Sequence, residues 1–186
     1  MLLTWHPDLK LNQKNSEGRT ALIDTCIRGH SEIVRMLLQK QTLDINAADK
    51  NGDTCLFKAS KKGFTEIVKM LLQNRFIDIN KSNDYNEFPL MTASKNGHLD
   101  IVKMLLQVSH TDINKENHNG QTVLFWASGN GNSEIAKLLL ERPQIDMNKV
   151  YIYNHAYTTI LWKSYEDGDI EMIQLLLEHP KTNVTK

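Results

Sequence analysis

Asp49-Lys50-Asn51-Gly52-Asp53-Thr54-Cys55-Leu56-Phe57-Lys58-Ala59-Ser60-Lys61-Lys62-Gly63 opens the stretch, residues 49–82, whose reading decides the fold. Asn51-Gly52 is a strong turn dipeptide. Thr54 follows with a hydroxyl suited to accept a free backbone N–H at a helix start. Cys55 to Lys62 is long enough for about two helical turns, with Leu56, Phe57, Ala59 and Ser60 as a small, packable face. Gly63 stands where a left-handed residue ends a helix. A second helix starts at once, Thr65-Glu66-Ile67-Val68-Lys69-Met70-Leu71-Leu72. Glu66 complements the positive helix end. Ile67, Val68, Met70, Leu71 and Leu72 make a broad apolar stripe. Gln73 to Ile77 connects, and Asp78-Ile79-Asn80 leads into the next polar turn.

The same reading extends in both directions. Gly18, Gly52, Asn86 and Gly120 recur every 34 residues, as do Gly29, Gly63, Gly97 and Gly131, and Asn12, Asn46, Asn80, Asn114 and Asn148. The other capping positions are Thr20, Phe88, Thr122 and Thr159, and Gly168 closes the last first-helix. Such a period marks a solenoid whose units stack on their neighbours. A helix pair this small cannot bury its apolar face alone, so adjacent pairs must bury it together.

Composition narrows the function. Of 186 residues, 40% are hydrophobic, enough for a core, and 22 basic residues balance 22 acidic ones. That balance predicts no bulk attraction to nucleic acid or to an acidic membrane. No apolar run approaches the ~18 residues of a membrane span. Met1 to Pro7 is too short and polar for a signal peptide. Cys26 and Cys55 show neither metal-ligand spacing nor a disulfide framework, which fits a reducing interior. An intracellular, cytoplasmic location is expected, with the nucleus as a second compartment. The Asn183-Val184-Thr185 triplet reads as chance.

The recurring G-x-T-x-L, A-(A/S)-x-x-G, E-I-V-x-x-L-L and D-I-N segments resemble the ankyrin repeat over residues 1–183. The Thr-Pro-Leu-His signature is degenerate: only Pro89 keeps the proline column, and the His column is apolar. The resemblance implies an all-α solenoid of stacked antiparallel helix pairs with projecting β-hairpin-like loops. It also implies a non-catalytic protein-binding module without a cofactor. The expected organisation is a single domain, 1–186, with a partial unit at 1–14 and repeats at about 15–48, 49–82, 83–116, 117–150 and 151–186.

The period breaks once. Leu124 to Leu161 spans 37 residues, and the extra length falls in Val150 to Tyr157, where Tyr151, Tyr153 and Tyr157 cluster. Insertions in such arrays map to loops, often on the binding face. The tyrosines therefore read either as contact residues or as local packing. Neither end shows a clear polar cap, so the chain is expected either to be a segment of a longer array or to stack end to end with another copy.

In each first helix three variable positions share one face. By the resemblance this face lines a concave groove. It is basic early, with Arg28, Lys58, Lys61, Lys62 and Lys95, and acidic late, with Glu166 and Asp167. An acidic partner segment would be steered to the first three repeats; a solvated lysine face is the alternative. Trp126, beside Gly129 and Asn130, reads either as a binding anchor or as packing against a neighbouring helix. Tyr85 sits at a loop tip. The partner-binding candidates are thus Arg28, Lys58, Lys61, Lys62, Tyr85, Lys95, Trp126, Asn130, Tyr151 and Tyr153.

Catalytic patterns are absent from the sequence: it contains no H-E-x-x-H, no phosphate-cradling loop and no nucleophile elbow. His30 and His98 are periodic and read as structural. Glu32, Glu66, Asp100, Glu134 and Glu171 recur at helix starts, where they complement the dipole. A separate reading makes the chain a substrate. Asn46, Asn80, Asn114 and Asn148 lie in Leu-x5-Asp-apolar-Asn segments similar to ankyrin sites hydroxylated by a 2-oxoglutarate-dependent asparaginyl hydroxylase. Turn formation by Asp and Asn is the simpler account.

Overall fold

A computed structural model describes residues 10–153 and 156–180, the side chains at 153, 156 and 157 excepted. Among the described residues five helix pairs follow one another: α1 (Ala21–Arg28) with α2 (Ser31–Leu38), α3 (Cys55–Lys62) with α4 (Thr65–Leu72), α5 (Pro89–Lys95) with α6 (Leu99–Leu106), α7 (Val123–Gly129) with α8 (Ser133–Leu140), and α9 (Ile160–Asp167) with α10 (Ile170–Glu178). The first helices touch in chain order to form one layer, and the second helices form the other. Between the two layers runs one continuous apolar core. It includes Leu22, Leu56, Leu90 and Leu124 from the first helices and Val34, Val68, Val102 and Ala136 from the second. Each pair therefore completes its core with its neighbours, as the period requires.

Local chemistry sets the helix ends. Thr20, Thr54, Thr122 and Thr159 accept backbone N–H bonds from Ile23, Phe57, Phe125 and Trp162. Phe88, expected in the same column, has no oxygen to offer. Its helix instead begins with Pro89, whose missing N–H is no loss in the first turn. At Gly63, φ is +77°, and a Cβ there would stand 2.7 Å from His98 Cε1, so both conformation and space call for glycine. Asn86 replaces glycine in the tip column and still adopts φ +58°, a conformation asparagine tolerates. Its amide donates to the Glu116 carbonyl of the following unit at 2.5 Å.

Two hydrogen-bond ladders join the units. At the loop tips, the backbone N–H groups of Lys50, Asp84, His118 and Ile152 donate to the carbonyls of Glu17, Asn51, Tyr85 and Asn119 in the preceding tips. On the connector side, Asn12, Asn46, Asn80 and Asn114 each donate Nδ2 to a carbonyl of the next unit, those of Thr42, Phe76, His110 and Gln144, at 2.7–2.8 Å. Their Oδ1 atoms accept from the N–H of Asp44, Asp78, Asp112 and Asp146 at 2.8–3.1 Å.

One expectation is corrected here. Cys26 and Cys55 are joined in a disulfide, with Cα atoms 5.6 Å apart, an ordinary span for such a bond. Facing positions on α1 and α3 bring together residues 29 apart in sequence. The argument from cysteine usage to a reducing compartment therefore fails. The longer fifth loop keeps the hairpin form that the resemblance implied. It is an antiparallel hairpin, β1 (Val150–Tyr153) paired with β2 (Ala156–Thr159), in the register Val150↔Thr159 and Tyr151↔Thr158. Strand alternation sends Tyr151 and Thr158 inward and leaves Val150 and Ile152 exposed.

Candidate functional site

The groove face of the first helices contains residues with quite different environments. Arg28 pairs with Asp24 one turn back, N–O 3.0 Å. Lys58 is not a surface charge, contrary to expectation. Its ammonium lies 2.5 Å from Asp53 and 3.1 Å from Asp49, and its side chain is only 15% exposed. Asn83 of the next unit donates to the other Asp53 oxygen at 2.8 Å, so this ion cluster fastens a loop tip to a helix. Burial raises the Asp49 pKa, but the Lys58 ammonium and the N–H groups of Asn51 and Asp53 outweigh it and hold the carboxyl below its ordinary value. Burial likewise opposes the Lys58 charge, and the two carboxylates overcome it, raising that pKa.

Lys61 and Lys62 are exposed. Neither ammonium has an ion-pair partner among the described residues. One unit further along, Lys95 Nζ lies 3.9 Å over the Trp126 ring and 3.5 Å from Glu87. Trp126 is partly buried and meets Phe125 edge to face, with ring centroids 5.5 Å apart. Its indole N–H has no partner among the described residues. Asn130 donates to the Lys95 carbonyl at 2.8 Å, tying α7 to α5 beside this pair. Trp126 thus packs with one edge, and its unused indole donor is buried.

The acidic end of the groove is also engaged. Glu166 accepts from Trp162 Nε1 at 3.1 Å, and Asp167 pairs with Lys163. The charge gradient read from sequence is accordingly narrower. Its unpaired positive part is Lys61 and Lys62, with Lys95 shared between a carboxylate and a ring.

At the tips, Tyr85 is exposed. Tyr151, an expected contact residue, is fully buried. Its ring lies 4.8 Å from that of Phe125, and its hydroxyl is 3.3 Å from Thr122 Oγ1. Burial pushes this hydroxyl up to about 12, only partly opposed by Thr122. The Tyr153 and Tyr157 side chains lie outside the described residues.

The asparagines expected as modification sites have structural work. Asn46, Asn80 and Asn114 use both ends of their amides in the connector ladder. Asn148 is exposed, and the positions that would complete its rung, 181 and 183, lie outside the described residues. The histidine column is structural too: His98 Nε2 lies 3.2 Å from the Lys61 carbonyl, and Asn132 in the same column donates to Ser94. Sequence reasoning missed the Asp49–Asp53–Lys58 cluster. Its signal was the pair of aspartates flanking one turn, a single unit where the column positions are all ionisable.

Stacked helix pairs joined by repeated inter-unit bonds define a repeat scaffold. The chain belongs to the ankyrin-repeat family: residues 1–83 and 75–151 match the family described as "Ankyrin repeats (3 copies)". The α9–α10 pair continues the pattern past the matched segments. A search of curated proteins returned no match to this chain. Ankyrin-repeat proteins are non-catalytic scaffolds that mediate protein–protein interaction. Among the described residues no group of three His, Cys, Asp or Glu could hold a metal ion, and no helix is long and apolar enough to cross a membrane.

Proposed function

We propose that this chain is an adaptor that holds an acidic segment of another protein across α3, α5 and α7. The observation that carries this reading is the pair of exposed, unpaired ammonium groups of Lys61 and Lys62, with the Lys95–Trp126 contact next along the same face. Carboxylates of a bound segment would meet the lysines. Trp126 is the natural anchor, since partly buried tryptophans dominate binding energies. Asn130 and the tip residue Tyr85 flank this path, and Arg28 lies beyond its first lysines.

The test is binding of a fluorescent glutamate-rich peptide, compared with a lysine-rich peptide of equal length. Saturable, salt-sensitive binding of the acidic peptide is expected, with at least a tenfold loss, about 1.4 kcal/mol, in Lys61→Glu/Lys62→Glu. Equal binding of both peptides, or no effect of the substitutions, would remove the acidic-segment reading.

A second reading is the expected end-to-end self-association, for which the exposed Ile33 and Met36 on α2 and Trp162 and Tyr165 on α9 offer apolar surface.

A further inference from the structure

We propose that the Cys26–Cys55 bond is a redox latch on the first helix pair. With the bond formed, α1–α2 can leave the stack only against a covalent tether. Once a dithiol has reduced the bond, α1–α2 opens by itself while the helix pairs from α5 onward stay stacked. The latch is separate from the acidic-segment site, whose lysines lie farther along α3.

The junction between the first two pairs is built differently from the two that follow. The positions equivalent to Cys26 and Cys55 are Ser60 and Pro89, Ser94 and Val123, and Ser128 and Ile160 at the later junctions. Ser94 and Ser128 donate their hydroxyls inside their own helices, to the carbonyls of Leu90 and Phe125. The next two junctions are fastened instead from the residue after each closing glycine. His98 Nε2 lies 3.2 Å from the Lys61 carbonyl, and Asn132 donates to the Ser94 carbonyl at 2.7 Å. In the second unit that column holds Phe64, whose side chain has no polar atom and lies so close to Gly29 that a Cβ there would stand 2.9 Å from Phe64 Cζ. A covalent bond therefore takes the place, at the first junction, of the side-chain hydrogen bonds at the next two.

In a repeat stack, stability is a sum of unit and junction contributions, and parts of it can open separately. The bond strengthens one junction. It ties together residues 29 apart in sequence and so removes much of the freedom that the opened pair would gain. Reduction breaks the S–S bond: the dithiol supplies two electrons and two protons, two cysteine thiols form, and the dithiol becomes a disulfide. Both cysteines are fully buried, so attack on either sulfur waits until α1 lifts off α3. Docking brings the two Cα atoms to 5.6 Å, which suits the bond to re-form under oxidant.

Hydrogen exchange read by mass spectrometry on the full chain tests this, in the oxidised protein and in excess dithiothreitol, with Cys26→Ser as a variant. Serine fills that position in the later units, so Cys26→Ser should fold. Reduction should speed exchange of the α1 and α2 amides about a hundredfold and leave those of α7 and α8 unchanged, and oxidised glutathione should restore the slow rate. Cys26→Ser should exchange like the reduced wild type, with or without dithiothreitol. Equal exchange of α1 and α2 in the oxidised and reduced protein, or equal acceleration in every helix, overturns the latch. So does a Cys26→Ser protein that still responds to dithiothreitol, or two free thiols found when the oxidised protein is alkylated in denaturant.

Discussion

The connector side and the groove side of this stack use the same period in opposite ways. On the connector side Asn12, Asn46, Asn80 and Asn114 make the same two bonds to the next unit, four times over. On the groove side the equivalent residues Asp24, Lys58, Thr92, Trp126 and Lys163 meet five different environments. Asp24 pairs with Arg28, and Lys58 is locked between two aspartates. The Thr92 carbonyl accepts from Asn96, Trp126 lies under Lys95, and Lys163 pairs with Asp167. A column that repeats its chemistry is holding the scaffold together; one that varies is free to define a partner. Lys58 qualifies that rule, as do the buried Thr92 and Lys163, because they lie in a variable column and yet serve the scaffold.

Substitutions can break that division. The largest effect is expected for Lys58→Ala, which strands Asp49 and Asp53 and should lower stability by about 3 kcal/mol, read by urea denaturation. The pH profile gives an independent check. The Asp49 carboxyl is held below 3.8 in the folded state, so its contribution is complete above that value and vanishes as pH falls through the depressed pKa. The Lys58 pKa is raised above 10.5, so its contribution is complete below that value and is lost at still higher pH. Lys58→Ala should flatten stability at both extremes.

Next is Asn80→Ala, which removes two inter-unit bonds from the middle of the ladder. A loss of about 2 kcal/mol is expected, with acidic-peptide binding by the folded protein unchanged. Thr54→Ala removes one helix cap and should cost about 1 kcal/mol. Trp126→Ala should lower peptide affinity about tenfold and change melting less than Asn80→Ala does; the opposite ranking would make Trp126 a scaffold residue. The smallest effect is spectroscopic. Ionisation of Tyr151 is pushed up to about 12 by burial. The tyrosinate absorbance removed by Tyr151→Phe should therefore appear only near the top of an alkaline titration.

Sequence made the columns visible because each is a fixed offset from a turn: Asn51-Gly52, Thr54, Gly63 and the Ile67–Leu72 stripe can each be read locally. It hid the partners, which lie in other units. Asn80 reads as a turn former until His110 and Asp112, 30 and 32 residues on, are placed beside it. Lys58 is different, since Asp49 and Asp53 stand only nine and five residues earlier in the same unit, and it reads as a groove charge until the tip folds back onto α3. Cys26 and Cys55 look unrelated until α1 and α3 are packed face to face. Tyr151 was hidden too: Val150-Tyr151-Ile152-Tyr153 is apolar or aromatic throughout, so only the hairpin register shows that Tyr151 faces inward.

The division between scaffold and binding face is tested most directly by one paired measurement: urea stability and acidic-peptide affinity, side by side, for Asn80→Ala and for Lys61→Glu/Lys62→Glu. Loss of stability with binding intact in the first variant, and loss of binding with stability intact in the second, is the predicted result. Exchange of the two outcomes, or equal losses in both quantities for both variants, would contradict it.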